Sequence, residues 1–355
     1  MGSNLTQEQI DMILRKNGQA TSSEVSELSV SLDDINRFGN KDSMREMFTD
    51  IANYNRMLKE RITFINDPLT TAVPFTRENL YLICAYSGNG KSTIAANISY
   101  PLWKQNKKAL VIANEEPDTD VMFRIACLEL GLSFNDYKKG RMPIDQQKEA
   151  TKLFYDISRC IKVLDVNYNN GLTTKVEGVK NALNAINGAD YSCVLIDYFQ
   201  LVKFSVEKPQ AKPYDVLNDL RIWLGQYIKR SNVPVVVFAQ LHSLGKRANK
   251  DLDSRIKDGP TIYETATVVM EVVPNFDDQT SDFLIHKDRF GFAGKRVICG
   301  FDKGRYVKLT DEFKKSIAER KRSAQEKELN ELEGQIAEEK DGHQHQEVSD
   351  LQAEE

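Results

Sequence analysis

Between residues 78 and 310 the chain alternates short apolar runs with amphipathic stretches. Leu80–Ala85, Ala109–Ala113, Cys193–Ile196 and Val233–Ala239 are apolar almost throughout. Runs of that kind suit strands buried on both faces of a parallel sheet. Between them, apolar positions recur at helical spacing over 92–105, 119–131, 144–158, 174–187 and 215–230. Strand and helix in alternation predict an α/β fold with a mainly parallel central sheet. Later apolar runs at 267–273, 282–287, 295–301 and 305–309 read as further strands, antiparallel ones.

The flanks have a different texture. Residues 1–40 alternate short helical patterns with polar breaks, and Thr6 with Gln9 forms a candidate capping box. Over 43–62, Ser43 and Glu46 form another, and Met44, Met47, Phe48, Ile51, Tyr54, Leu58 and Ile62 recur at helical spacing. That helix either packs on its own domain or docks on a neighbouring subunit. Residues 312–340 carry a sparse stripe of Phe313, Ile317, Leu329, Leu332 and Ile336 among charges, and polar, acidic sequence follows Lys340. The expected division is an arm and linker helix over 1–77, an α/β core over 78–310, and a tail over 311–355, helical and then disordered.

Composition narrows the class. The chain has 355 residues, 41 % of them apolar and 28 % charged, as in a globular protein and unlike a collagen or a disordered chain. No apolar run approaches the ~18 residues of a membrane span, and no secretory signal opens the chain. Met1–Thr6 fits a myristoylation pattern, but no second membrane signal accompanies it, so no membrane attachment is expected. The five cysteines are scattered without CxxC spacing, which suggests reduced core residues in a cytoplasmic protein. The net charge of −4 hides an asymmetry. Residues 311–355 hold 14 acids and 7 bases, leaving the rest slightly basic.

The strongest chemical signal is Ala85-Tyr86-Ser87-Gly88-Asn89-Gly90-Lys91-Ser92-Thr93, between an apolar strand and a helical stretch. Gly88 and Gly90 allow the backbone to curl so that N–H groups of Ser87 to Thr93 face phosphate, while Lys91 reaches the β- and γ-phosphates and Ser92 ligates Mg²⁺. Ala85 replaces the usual first glycine. Val194-Leu195-Ile196-Asp197 ends an apolar run on a carboxylate, which makes Asp197 the second candidate holder of Mg²⁺. Glu115 and Glu116 follow the 109–113 strand, placed beside the P-loop strand in this reading, and either could polarise the attacking water. ATP with Mg²⁺ is the expected ligand.

Further segments carry a resemblance. Asp197-Tyr198-Phe199-Gln200-Leu201, Val233–Leu241 with its terminal Ala-Gln-Leu, and His286-Lys287-Asp288-Arg289-Phe290-Gly291 follow the P-loop in order. Together these resemble the motor domain of DnaB-type hexameric replicative DNA helicases, over roughly residues 78–310. The resemblance implies a RecA-like P-loop ATPase fold and roles position by position. Lys91 and Ser92 bind phosphate and metal, and Asp197 is the Walker B acid. Glu115 falls on the family's catalytic glutamate, and Gln240 on its polar γ-phosphate sensor. Lys287 and Arg289 resemble the pair inserted into the neighbouring subunit's ATP site. It also implies a homo-hexamer, single-stranded DNA in a central channel, and a primase, a loader or other replisome proteins as partners.

There are departures. Asp253–Gly259 only loosely echoes the family's Asp-Leu-Arg-Glu-Ser-Gly segment, and Thr265 and Thr267 replace acids. The first 77 residues leave no room for the family's N-terminal helical domain, as in a minimal motor of phage or mobile-element type. Two polar stretches correspond to the loops that project into RecA-like channels. Lys203 and Lys208 lie in one, and Lys246, Arg247, Lys250 and Arg255 in the other. With few aromatics, these loops are expected to track phosphates. A RecA- or RadA-like recombination ATPase and an ATP-gated loader or scaffold ring remain open as alternatives.

Overall fold

The structure is a computed structural model that describes Thr49 and residues 63–73, 75–167, 171–187, 190–242, 251–257, 261–291 and 293–323. The chain divides into two compact units, Met1–Glu60 and Arg61–Glu355. Apart from Thr49, the patterns of 1–40 and 43–62 lie outside the described residues, as does the tail beyond 323.

Among the described residues of the second unit, nine strands form one sheet in the order β3-β2-β4-β5-β1-β6-β7-β8-β9. They are β1 (Leu80–Ala85), β2 (Lys108–Ala113), β3 (Ile161–Asp165), β4 (Tyr191–Asp197), β5 (Val235–Gln240), β6 (Val268–Asn275), β7 (Thr280–Asp288), β8 (Arg296–Asp302) and β9 (Arg305–Lys308). Pairings from β3 across to β6 are parallel, and those from β6 to β9 are antiparallel. The first of the late strands therefore departs from expectation, because β6 runs parallel to β1. The helices are α1 (Asp67–Ala72), α2 (Lys91–Lys104), α3 (Asp118–Leu130), α4 (Phe134–Lys138), α5 (Ile144–Lys152), α6 (Phe154–Cys160), α7 (Val176–Ala185), α8 (Pro213–Ser231), α9 (Leu252–Arg255) and α10 (Ile262–Thr265).

Alternation along each strand divides the core into two layers. Tyr81, Ile83 and Ala85 of β1 pack with Ile94 and Ile98 of α2 and Ile125 of α3. Leu80, Leu82 and Cys84 face the other way, onto Val179 of α7 and Leu217, Leu220 and Leu224 of α8. All five cysteines are buried and free. No helix among the described residues is long and apolar enough to cross a membrane.

Two local expectations change, and one strand was not foreseen. The helical stretch at 144–158 is two helices, α5 and α6, that meet at Leu153. Strand β3 is an edge strand with only Ile161 buried, so its sequence carries no continuous apolar run. The boundary placed at 77 falls inside the second unit, since Phe64, Leu69, Val73 and Phe75 are buried in the layer that holds Tyr81. Residues 311–323 are helical, and the Phe313 ring lies where a Cβ on Gly300 of β8 would come within 2.6 Å.

Candidate active site

The parallel order aligns the carboxyl ends of four strands. Ala85 of β1 is in register with Gln240 of β5, and Ala113 of β2 with Asp197 of β4. The expected adjacency of β1 and β2 does not occur, because β4 and β5 lie between them. Helix α2 contacts β1, β4 and β2, so the chain leaves β1, crosses over and enters β2 beyond the two intervening strands. The P-loop, Gln240, Asp197 and Glu115 thus sit along one edge of the sheet, where open α/β sheets bind ligands.

Tyr86 to Gly90 form the turn between β1 and α2. Gly88 and Gly90 have φ of 77° and 80°, and Gly90 caps α2, a left-handed conformation that glycine adopts without strain. Lys91 opens the helix and is 7 % exposed, its ammonium 5.2 Å from the centre of the Tyr198 ring. Burial lowers its pKa, while Asp197 and Glu115 pull the other way. A buried ammonium without a full ion pair at a helix start suits an anion such as phosphate.

Asp197 is 5 % exposed, and its Oδ1 has no hydrogen-bond partner. Burial pushes the carboxyl up to about 6, with Glu116 and Glu115 raising it and Ser92 and Lys91 opposing. An orphaned carboxylate oxygen beside the Ser92 hydroxyl fits a hard cation such as Mg²⁺. Among the described residues no group of three or more metal-ligating side chains gathers.

The two glutamates after β2 separate. Glu116 is held by Arg124 of α3, whose Nε and Nη2 donate to its two oxygens at 3.0 and 2.6 Å. That guanidinium lies 3.9 Å from the Phe134 ring and reaches Thr93 Oγ1 at 3.4 Å. Glu115 is exposed, has no hydrogen bond or ion pair among the described residues, and lies close enough to act on Lys91 and Asp197. The geometry therefore leaves Glu115 available to a water.

Two residues were not singled out from the sequence. Gln200, 2 % exposed, accepts from the Gln240 N–H at 3.1 Å and donates to the Gln240 and Lys257 carbonyls at 3.1 and 2.9 Å. It fixes Gln240 and the far end of the following loop to the Asp197 segment. Asn114 donates its N–H to the Asp197 carbonyl at 2.7 Å, while both atoms of its buried amide lack partners. Gln200 stands in the Asp197–Leu201 segment that carries the resemblance, though with no role of its own there, and no local pattern marks Asn114.

Lys287 and Arg289 lie at the end of β7, two strands beyond β1 on the side away from Glu115. Lys287 donates to the Tyr263 and Glu264 carbonyls, both at 2.9 Å, and its ammonium is 5.4 Å from the Tyr263 ring centre. Burial and the neighbouring Arg289 lower its pKa. Arg289 is exposed, with one long bond of 3.4 Å to the Glu264 carbonyl.

The basic loop residues divide. Lys203 is exposed, and Lys208 is exposed but paired with Asp219 at 2.6 Å. Lys246, Arg247 and Lys250 lie outside the described residues. The expectation for Arg255 is corrected. Its Nη1 and Nη2 donate to the two oxygens of Glu271 at 2.8 and 2.7 Å, and Nη1 also donates to the Tyr86 hydroxyl at 3.2 Å. A guanidinium held by a buried carboxylate is withdrawn from phosphate contact. Phe204, in the other loop, is 62 % exposed, so this loop does present an aromatic ring.

The model of the DnaB-like helicase C-terminal domain matches residues 68–308. The chain belongs to the DnaB-like helicase C-terminal domain family. Helicase is the function that membership assigns, and it implies ATP-dependent hydrolysis. Solved structures agree on the fold. One, an isolated ATPase domain, superposes with a TM-score of 0.63 at 15 % identity, covering 76 % of this chain and 100 % of that one. Another, a DnaB-like replicative helicase described with its interactions with primase, gives 0.60 at 15 %, covering 86 % and 77 %. No curated protein sequence matches the chain.

Proposed function

We propose that this DnaB-like domain is an ATP-driven motor that assembles into a hexameric ring on single-stranded DNA and unwinds duplex. The observation that carries the reading is the spatial order of the edge. Phosphate receptor, metal acid and water base share one end of the sheet, and an exposed arginine stands two strands away on the far side.

Lys91 and the N–H groups of Ser87–Thr93 hold the phosphates, with Gly88, Asn89 and Gly90 shaping the turn. Ser92 and Asp197 would hold Mg²⁺, which would supply positive charge against the phosphates. Glu115 accepts the proton of the attacking water, and Gln240 senses the γ-phosphate at the end of β5. Arg289 acts in trans, stabilising charge at the neighbouring subunit's transition state. Lys287, tied to two carbonyls of α10, supports the same strand end. Lys203, Lys208, Lys246, Arg247 and Lys250 meet the DNA backbone, and Phe204 offers a ring to a base. One of the similar helicases interacts with primase, so a primase or a loader is the partner class proposed here.

Strand separation on a forked DNA with ATP and Mg²⁺ tests the reading. Wild type should unwind and Lys91→Ala should not. Absent unwinding, with DNA-stimulated turnover intact, would transfer the assignment to a recombination ATPase or a loader ring.

A further inference from the structure

Arg255, Glu271, His286 and Tyr86 form a polar cluster around the buried carboxylate of Glu271, with His286 itself exposed. Glu271 lies on β6, opposite Cys84 of β1, and is 4 % exposed. Besides both arms of Arg255, its Oε2 lies 3.0 Å from His286 Nε2 on β7. Burial pushes the Glu271 carboxyl up, but the bonds from His286 and Arg255 more than offset that and hold it at about 2. Arg255 Nε has no partner.

The cost of this arrangement is informative. A desolvated ion pair gains little over an apolar pair of equal volume, so stability alone does not account for it. Its placement suggests what does. Arg255 ends α9 at the neck of the loop that follows β5. There the His242 N–H donates to the Arg255 carbonyl at 2.8 Å, Lys257 N–H donates to the Gln240 carbonyl at 2.9 Å, and Leu241 bridges to Ile256. Tyr86 is the first residue after β1, immediately before Ser87 of the P-loop. His286 directly precedes Lys287. One guanidinium therefore ties the loop neck to the entrance of the P-loop, and through Glu271 and His286 to β7, which carries Lys287 and ends just before Arg289. Gln200 secures the same neck from the Asp197 side.

We propose that Arg255 is a positioning residue whose pairing with Glu271 sets the loop neck against the P-loop and transmits DNA binding to ATP turnover. The inference rests on the single-stranded DNA motor reading above. A purely structural pair would move stability, basal turnover and stimulated turnover together. A positioning pair moves the stimulation and spares the rest.

The test compares ATP turnover with and without poly-dT, alongside the KM for ATP and the thermal midpoint. Three proteins are needed: wild type, Arg255→Lys, and Arg255→Met combined with Glu271→Leu. The lysine keeps the charge and loses the bidentate fork. The paired apolar replacement leaves no unpaired charge in the core and so protects folding. Both variants should keep basal turnover and KM within about twofold of wild type. Their stimulation by poly-dT should fall at least about fivefold, the lower end of ordinary coupling between sites. Undiminished stimulation in either folded variant overturns the proposal and leaves the motor reading standing. Wild type that poly-dT does not stimulate overturns both.

Discussion

At the scale of single residues, adjacent carboxylates differ because their neighbours differ. Glu116 is neutralised by Arg124, and Glu115 is left facing the Lys91–Asp197 pair. Glu115→Gln should therefore reduce turnover by roughly 10²-fold or more, the ordinary contribution of a general base. Nucleotide affinity should remain, because Lys91 and Ser92 are untouched. Glu116→Gln should keep turnover within severalfold. Single-turnover hydrolysis alongside equilibrium binding of an ATP analogue checks both, and loss of turnover in the Glu116 variant alone would reverse the assignment. The sequence narrowed the base to a pair of neighbours and could not separate them by pattern. The deciding contact comes from Arg124 on the next helix, stacked on Phe134, and depends on side-chain packing. Arg255 shows the same limit more sharply. It stands in a polar, basic stretch that reads as a phosphate contact, yet its partner is sixteen residues away on a strand of the central sheet.

At the scale of elements, what a segment contains was legible and where it goes was not. β1, β2, β4 and β5 announce themselves as apolar runs, and the P-loop and Asp197 are contiguous motifs at their ends. The order in which strands pair depends on contacts distant in sequence, so the separation of β1 from β2 by two later strands is written in no single stretch. The charged C-terminal stripe was visible through Phe313 and Ile317, but its docking place was not. That place is Gly300, whose missing side chain admits the Phe313 ring. Gly300→Ala should cost about 1–3 kcal/mol, as overpacking does. Protease sensitivity should rise first within 311–323, and an unchanged melting temperature would contradict the docking. Glu177 of α7 is another local device. Burial pushes its carboxyl up, but bonds from Ser205 and from the Val206 and Glu207 N–H groups win, holding it at about 2. Because the folded pKa lies below the ordinary 4.5, this stabilisation is complete above about pH 4.5 and is lost as pH falls towards 2. Wild type should thus outlast Glu177→Gln in thermal melts at pH 7. The gap should close as pH drops below about 4.5, and a gap constant with pH would exclude the carboxylate as its source.

At the scale of the whole molecule, the sheet sets Arg289 apart from the end that gathers Lys91, Asp197 and Glu115. Lys91, Asp197 and Glu115 converge at one edge, while Arg289 stands across β6 and β7 with its side chain exposed and only a 3.4 Å bond to the Glu264 carbonyl. The trans role proposed for Arg289 gives this placement a measurable consequence. Arg289→Ala should then bind ATP normally and lose turnover by roughly 10³-fold, the range for an arginine finger supplied in trans. Lys91→Ala should fail differently, since its own phosphate site is damaged while its Arg289 remains sound. Mixed in equal amounts, the two inactive proteins should recover part of the activity. Some interfaces then pair an intact phosphate site with an intact arginine from the next subunit. Recovery should follow a dilution curve set by ring composition and vanish when assembly is prevented. Normal turnover by Arg289→Ala alone would place the arginine outside the reaction, and failure of the mixture to recover would place its action within its own chain.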